Sequence, residues 1–263
     1  MSKTEESNFH DEYVRSCELR AFESRFYSRE ALAKENDMAF KFLGDLRGKN
    51  LLFYGSGAHY SLIREFVKKG AKVIAIDISP ASINILYKAC KREGLWKSVT
   101  PLVMDCESLG FGDESIDIVF GRSIVHHLDV DTSLREISRV LKPTGKFTVL
   151  EPLGMNPLIN LYRRLTPKSR TTGEHPLVSA DLKLFNRYFH KIDRHYLYFL
   201  TIIAYIYKLL DKNDERFISI FNGFFLIDEL LLRAIPYYSF LCWDVLLCCQ
   251  KDTLNCTVIN RKG

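Results

Sequence analysis

Five short apolar runs, each followed by an amphipathic segment, constrain the fold of this chain more than any other feature. The runs are NLLFYG, AKVIAIDIS, VTPLVMD, IDIVFG and GKFTVLEP, and with their connections they occupy residues 50–152. Three connections, 61–69, 79–94 and 131–141, carry an apolar stripe at helical spacing and end near glycine or proline. Strands that alternate with helices form βαβ units around a parallel sheet. The pattern therefore predicts a doubly wound α/β fold.

The segments on either side of this region are expected to flank or extend the sheet. Apolar residues at helical spacing among many charges predict one or two amphipathic helices within residues 10–43. A long loop with a short helix is expected after Glu151, where the chain is rich in Pro, Thr and Arg. Further helices are expected near 182–188, 201–210 and 227–234, and further strands at 192–199 and 242–250. The two added strands would complete a mostly parallel, seven-stranded sheet.

Small and polar residues stand where four of the predicted strands end. The first strand runs into Gly55-Ser56-Gly57, a turn in which backbone amides can approach a ligand because side chains are missing. The second ends in Asp77, about 20 residues later, the spacing that places a carboxylate near ribose hydroxyls. The third ends in Asp105, and the fourth delivers Arg122. Because parallel strands share one carboxyl edge, we expect a single ligand-binding crevice there.

Residues 50–152 resemble the class I S-adenosylmethionine-dependent methyltransferases, and in particular the small-molecule group that acts on quinones and sterols. The resemblance is carried by GSG at 55–57, VIAIDIS at 73–79, VMDCESLGF at 103–111, SIDIVFGRSIVHHL at 115–128 and LREISRVLKPTGKFTVLEP at 134–152. Nicotinamide dehydrogenases share the glycine turn and the acid, but they lack the last of these segments. The chain from GMNPLINLYRRLTP to RTTGEHPL also resembles an insertion found in a bacterial subgroup of these enzymes.

This resemblance implies a Rossmann-like methyltransferase fold and S-adenosyl-L-methionine as the cofactor. The glycines would line its methionine part, Asp77 would bind the ribose, Asp105 with Cys106 would flank the adenine, and Arg122 would lie near the sulfonium. The residues expected to bind the cofactor are Gly55, Ser56, Gly57, Asp77, Ile78, Asp105, Cys106 and Arg122.

Two positions depart from the family pattern. The pattern has an acid two residues before the first glycine and a third glycine two residues after the second, where this chain has Phe53 and His59. The missing acid normally helps to organise the site, and a side chain at 59 narrows the approach to the turn. The alternative hypothesis is therefore a catalytically silent scaffold or binding subunit with weakened cofactor binding.

Candidate residues for chemistry follow the fourth strand and the predicted loop. His127 is the predicted catalytic residue, because an imidazole beside His126 there could remove a proton from the acceptor. A hydrogen-bonded histidine at a helix start is the alternative. Arg170, Glu174 and His175 are predicted to bind the acceptor, and a solvated basic face is the alternative. No metal site is predicted, since no Asp or Cys partner stands at ligand spacing.

Composition restricts the partners and the location. The net charge of +5 is mildly basic and the cationic residues form no stripe, so nucleic acid is not an expected partner. The seven cysteines lack CxxC spacing and the first residues are polar, which favours a reduced, cytoplasmic protein without a secretory signal. The aromatic stretch 196–238 is expected to pack in the core, line an acceptor pocket or contact a membrane peripherally. The oligomeric state is not predicted.

Together these features predict a helical flank or lid at 1–49 and a methyltransferase domain at 50–263. The domain would comprise a cofactor-binding half at 50–152, an acceptor loop and helical elaboration at 153–241, and a closing strand at 242–250. The predicted reaction moves a methyl group to an oxygen, nitrogen or carbon nucleophile of a small, apolar or lipid-like acceptor.

Overall fold

A seven-stranded sheet organises the protein. The computed structural model describes residues 3–16, 29–57, 59–165, 174–210 and 213–251. The strands are β1 (Asn50–Tyr54), β2 (Lys72–Asp77), β3 (Val99–Val103), β4 (Ile116–Arg122), β5 (Leu141–Pro152), β6 (Lys191–Leu197) and β7 (Asp244–Gln250). Their order is β3-β2-β1-β4-β5-β7-β6, in which β7 alone runs antiparallel to its neighbours. The doubly wound, mostly parallel sheet predicted from the sequence is confirmed.

Helices precede, connect and follow these strands. They are α1 (Lys3–Ser16), α2 (Arg29–Leu43), α3 (Tyr60–Lys68), α4 (Pro80–Arg92), α5 (Val130–Val140), α6 (Pro157–Leu165), α7 (Ser179–Tyr188), α8 (Ile202–Leu210) and α9 (Asp214–Ala234). Single turns of 3₁₀ helix occur at Leu95–Lys97 and Val125–His127, and a longer one at Pro236–Leu241. The last long helix was predicted only at 227–234, and in the structure it begins at Asp214.

Alternate residues along the central strands bury their side chains on opposite faces of the sheet. In β1, Leu51 and Phe53 join one apolar cluster, whereas Leu52 and Tyr54 join the other. The first cluster includes residues of α2, α3, α4, α8 and α9, and the second includes residues of α5 and α7. Both faces are therefore covered, which explains why the strands are continuous apolar runs in the sequence.

Within the described ranges, none of the helices combines the length and the apolar character that crossing a membrane would require.

Candidate cofactor and acceptor site

The glycine turn after β1 is held by the acid at the end of β2. Gly55 and Gly57 have φ values of +62° and +47°, a region that residues with a side chain rarely adopt. At Gly55 a Cβ atom would lie 2.3 Å from Cγ1 of Ile124, so only glycine fits. The Asp77 carboxylate accepts hydrogen bonds from the Gly57 amide at 2.7 Å and the Ser79 amide at 2.9 Å. Burial raises the pKa of Asp77, while these two amide bonds oppose the rise.

The end of β3 lies beside this turn, as the sequence predicts. The Tyr54 hydroxyl donates a hydrogen bond to the carbonyl oxygen of buried Cys106 at 2.7 Å. The Asp105 carboxylate accepts from the amide of Glu107 at 2.9 Å. The predicted cofactor-binding residues of the first three strands are thereby brought together at the carboxyl edge of the sheet.

Helix α1 packs against the same edge. The Ser7 hydroxyl donates to the carbonyl of Ile78 at 3.0 Å, and the Asp11 carboxylate accepts from the Ser79 hydroxyl at 2.5 Å. Lys3 forms ion pairs with Asp105 at 3.4 Å and with Glu107 at 2.9 Å. The predicted N-terminal flank therefore contacts the ends of both β2 and β3.

Both departures from the family pattern meet in one contact. The rings of Phe53 and His59 stack with their centroids 6.3 Å apart and their planes 7° apart. Phe53 also packs edge-on against Phe66 and Phe120. Burial, with a smaller contribution from the charge of Arg122, lowers the pKa of His59 to about 4. An aromatic pair thus occupies the place where the pattern has an acid and a glycine.

Arg122, predicted to lie near the sulfonium, is paired with a carboxylate from α2. Its Nη1 lies 2.5 Å from Oε2 of Glu35, and its Nη2 donates to Oδ1 of Asn36 at 2.8 Å. The hydroxyl of Tyr198 donates to the other oxygen of Glu35. The Arg122 and Glu35 side chains are only 3% and 1% exposed, so this is a buried ion pair. Sequence reasoning missed Glu35 and Tyr198 because no local signal connects residues so far apart.

Glu151, at the end of β5, organises the turn that follows β4. Its Oε1 accepts from the amides of Ile124 and Val125 at 2.9 and 2.8 Å. Its Oε2 lies 2.7 Å from Nδ1 of His126. Glu151 thus satisfies backbone amides of this turn. The carboxylate also fixes the orientation of the His126 ring.

His127 lies in a different environment from its neighbour. Its Nδ1 is 3.9 Å from Oε1 of Glu6, and its ring lies edge-on to that of His10 with centroids 5.7 Å apart. Burial lowers the pKa of His127 to about 2, and the nearby charges of His126, His10 and His175 act in the same direction. The imidazole is therefore neutral near pH 7.

The predicted acceptor residues lie partly at this turn. Oε1 of Glu174 is 4.0 Å from Nε2 of His126, and the amide of His175 donates to the carbonyl of His126 at 2.9 Å. Glu174 and His175 are thus brought together with the histidine pair. Arg170 lies outside the described residues.

The depressed histidine pKa values predict a pH-dependent stability. Unfolded histidine takes up a proton below about pH 6.5, whereas folded His127 does so only near pH 2. The unfolded chain therefore binds more protons between these values, and the free energy of unfolding should fall as pH decreases from 7 to 4. His127→Gln should reduce this slope by up to about 1.4 kcal/mol per pH unit.

Urea unfolding at pH 7, 6, 5 and 4 measures how the free energy of unfolding changes with pH in the wild-type protein and in His127→Gln. His59→Gln is the matched variant: with a folded pKa of about 4, it should reduce the slope over the same pH range, and the two variants should differ only below pH 4. Parallel stability profiles for wild-type protein and His127→Gln would contradict the prediction.

The strand order, the glycine turn and the acids that end β2 and β3 define a class I methyltransferase fold. A family model described as a methyltransferase domain matches residues 54–149. Residues 54–149 are therefore similar to a methyltransferase domain, and the chain is similar to small-molecule members of this class.

Two individual relatives match parts of this chain. An uncharacterized protein of Escherichia coli K12, YafE, is 38% identical over 103 residues, which cover 38% of this chain and 49% of that protein. A demethylmenaquinone methyltransferase of Lactobacillus johnsonii is 28% identical over 177 residues, covering 63% and 71% of the two chains. The chain thus matches only about half of the length of the Escherichia coli relative.

Among solved structures, a geranyl diphosphate C-methyltransferase from Streptomyces coelicolor A3(2) superposes with a TM-score of 0.60. The sequences are 14% identical, and the match covers 84% of this chain and 76% of that one. At this identity the likeness concerns the fold.

Proposed function

We propose that this chain is an enzyme that transfers the methyl group of S-adenosylmethionine to an oxygen, nitrogen or carbon nucleophile of a small, apolar or lipid-like acceptor. The observation that carries the proposal is Asp77, a carboxylate at the end of β2 that is bonded to the glycine turn. It lies inside the matched methyltransferase domain. The relatives named as acting on demethylmenaquinone and geranyl diphosphate support a small, partly apolar acceptor.

The residues at the carboxyl edge fit this cofactor chemically. Each Asp77 oxygen accepts one amide hydrogen, and a carboxylate oxygen has a second lone pair with which to accept a ribose hydroxyl. Gly55, Ser56 and Gly57 would hold the methionine part, while Ile78, Asp105 and Cys106 would lie against the nucleoside. When bound, the cofactor supplies a methyl group that is already activated by the positive charge on sulfur.

Arg122 is suited to a place near the positively charged sulfur of the cofactor because Glu35 neutralises the charge of the Arg122 guanidinium. An uncompensated guanidinium would repel a cationic group at short range. The Glu35 carboxylate lies 2.5 Å from the Arg122 guanidinium and neutralises its charge. The repulsion is therefore removed although position 53 carries no acid. The buried ion pair thus supports cofactor binding despite the departure at Phe53.

We assign the acceptor side to the turn after β4. Alignment of the two reactants contributes most to methyl transfer, up to about 7–11 kcal/mol in well-oriented cases. His127 and His126 would position the nucleophile and receive its proton, and Glu174 and His175 would contact the rest of the acceptor. His126 is the better oriented imidazole, because Glu151 accepts from its Nδ1 and leaves Nε2 to act as an acceptor.

The proposal also includes a cytoplasmic location with peripheral membrane contact. Exposed apolar side chains occur on α6 and on α9, at Leu158, Leu161, Leu226, Ile227 and Leu230. Such side chains support contact with an apolar surface, from which a lipid-like acceptor could be taken.

Calorimetric titration with S-adenosylhomocysteine tests the proposal. We expect one binding site with a dissociation constant in the micromolar range. In a separate assay with methyl-labelled S-adenosylmethionine as the donor, we expect transfer of the label when quinone, phenol and isoprenoid acceptors are supplied. No heat at millimolar ligand would overturn the enzyme proposal and favour a silent scaffold. Binding of NAD(H) and not of S-adenosylhomocysteine would instead indicate an oxidoreductase.

A further inference from the structure

We propose that His126, His127 and Glu174 together bind one divalent transition-metal ion of the zinc type. One ligand atom from each residue lies within 4.8 Å of the others. Two imidazole nitrogens and one carboxylate oxygen form a donor set that zinc uses in catalytic sites, where a fourth position stays open for water or substrate.

Glu151 supports this site in the way that metal-bound histidines require. A histidine ligand usually donates its second ring N–H to a carboxylate, which fixes the ring and its tautomer. Oε2 of Glu151 lies 2.7 Å from Nδ1 of His126, and the Glu151 side chain is fully buried. The remaining nitrogen, Nε2, is therefore the one presented to Glu174.

The distance between His126 and Glu174 suits two ligands of one ion. Nε2 and Oε1 are 4.0 Å apart, which is too long for a direct hydrogen bond. Two ligands bound at about 2.0–2.1 Å in a tetrahedral arrangement lie about 3.4 Å apart. A shift of about half an ångström, the difference between those two separations, would bring the pair to ligand spacing.

The backbone around the site is fixed on both sides. Three successive amides, those of Ile124, Val125 and His126, point at the Glu151 carboxylate. The His175 amide bonds to the carbonyl of His126, which anchors the segment that carries Glu174. Rigid support of this kind holds ligands in place before the ion arrives.

Charge favours a dication at this position. Glu151 accepts only N–H groups and Glu174 lies within 4.0 Å of a ring nitrogen, so two carboxylates adjoin two imidazoles in a largely buried volume. Buried charges are stabilised when they are paired or when they coordinate metals. An ion with two positive charges would balance both carboxylates.

The inference deepens the proposed function, on which its role in the reaction rests. The metal site lies where the acceptor is expected, and its open position would hold an acceptor oxygen. With the ion bound, the imidazoles would serve as ligands, so the proton-accepting role assigned to them above applies to the metal-free protein. Metal binding itself needs neither cofactor nor acceptor. A failure of the metal proposal is thus distinguishable from a failure of the methyltransferase proposal.

The full chain, freed of metal with a chelator, should be titrated with Zn²⁺ by calorimetry and with Co²⁺ by visible absorption. We expect one equivalent to bind and Co²⁺ to show the intense bands of four- or five-coordination. His126→Gln and Glu174→Gln should abolish this signal, and Glu151→Gln should weaken affinity about 10- to 100-fold. Glu174 lies on a loop, so its variant should keep the wild-type circular dichroism and melting temperature.

Glu6→Gln is the matched control, because Glu6, His10 and His127 form a second group with similar spacing. It should bind the ion as wild type does. Loss of binding in Glu6→Gln with retention in Glu174→Gln would place the ion beside α1 and overturn the assignment. Absence of stoichiometric Zn²⁺ or Co²⁺ binding by the wild-type chain would also overturn it, whatever the titration with S-adenosylhomocysteine shows.

Discussion

Glu35→Gln should lower the free energy of unfolding by about 3–5 kcal/mol, the usual result of removing one partner from a buried ion pair. The substitution keeps the size of the side chain but leaves the Arg122 guanidinium, 3% exposed, without its balancing charge. Asn36 still accepts one hydrogen bond from Arg122, but an amide carries no charge with which to compensate. Urea denaturation followed by circular dichroism measures the change.

Two variants isolate the cause of this effect. Glu35→Gln combined with Arg122→Met should regain part of the loss, because neither side chain at these two positions then carries a buried charge. Asp45→Ala removes the partner of Arg47 in an exposed ion pair. This variant should leave the midpoint of urea denaturation unchanged. A change below about 1 kcal/mol in Glu35→Gln, the level of an exposed pair, would mean that the ion pair contributes little to stability.

Asp77→Ala should weaken the binding of S-adenosylhomocysteine about 100-fold. Two hydrogen bonds from ribose hydroxyls to a charged acceptor contribute about 1.5 kcal/mol each, and their sum of about 3 kcal/mol corresponds to a factor on the order of 100. The same substitution removes the acceptor that holds the Gly57 amide, so the glycine turn loses a fixed point as well. Calorimetric titration of wild type and variant under identical conditions measures the ratio.

Asp77→Asn separates the two contributions. It keeps one acceptor oxygen for an amide but removes the charge, so its affinity should fall between those of wild type and Asp77→Ala. Asp113→Asn, which alters an exposed acid paired with Arg139, should bind as wild type does. Equal affinities of wild type and Asp77→Ala within threefold would exclude Asp77 from the cofactor site.

The fold was predictable where structure depends on local pattern. Strands β1 and β4 are short apolar runs that are buried on both faces, and the helices between the strands carry one apolar stripe each. The glycine turn was predictable for the same reason, since glycine readily adopts the positive φ found at Gly55 and Gly57. Asp77 was identified as a candidate because it follows the glycine turn by about 20 residues in the sequence.

Helix α9 shows where local pattern fails. Asn213 caps it by accepting from the Arg216 amide at 3.0 Å, and Phe217, Phe221 and Phe225 bury one face. Other faces of the helix expose apolar residues, including Ile218, Leu226 and Leu230, so no clean amphipathic stripe marks it. Packing of the buried face against Tyr198 and against Tyr205 of α8 determines its length.

The sequence alone determined the parallel sheet, the glycine turn and the acids at the strand ends, because periodicity and backbone conformation are set by neighbouring residues. Only the tertiary structure decided which charged and polar groups meet. Glu35 reaches Arg122 across 87 residues, Ser7 of α1 reaches Ile78 across 71, and Glu174 comes to the turn of His126. Such pairings depend on how helices and loops pack over the sheet edge, and no local pattern encodes that packing.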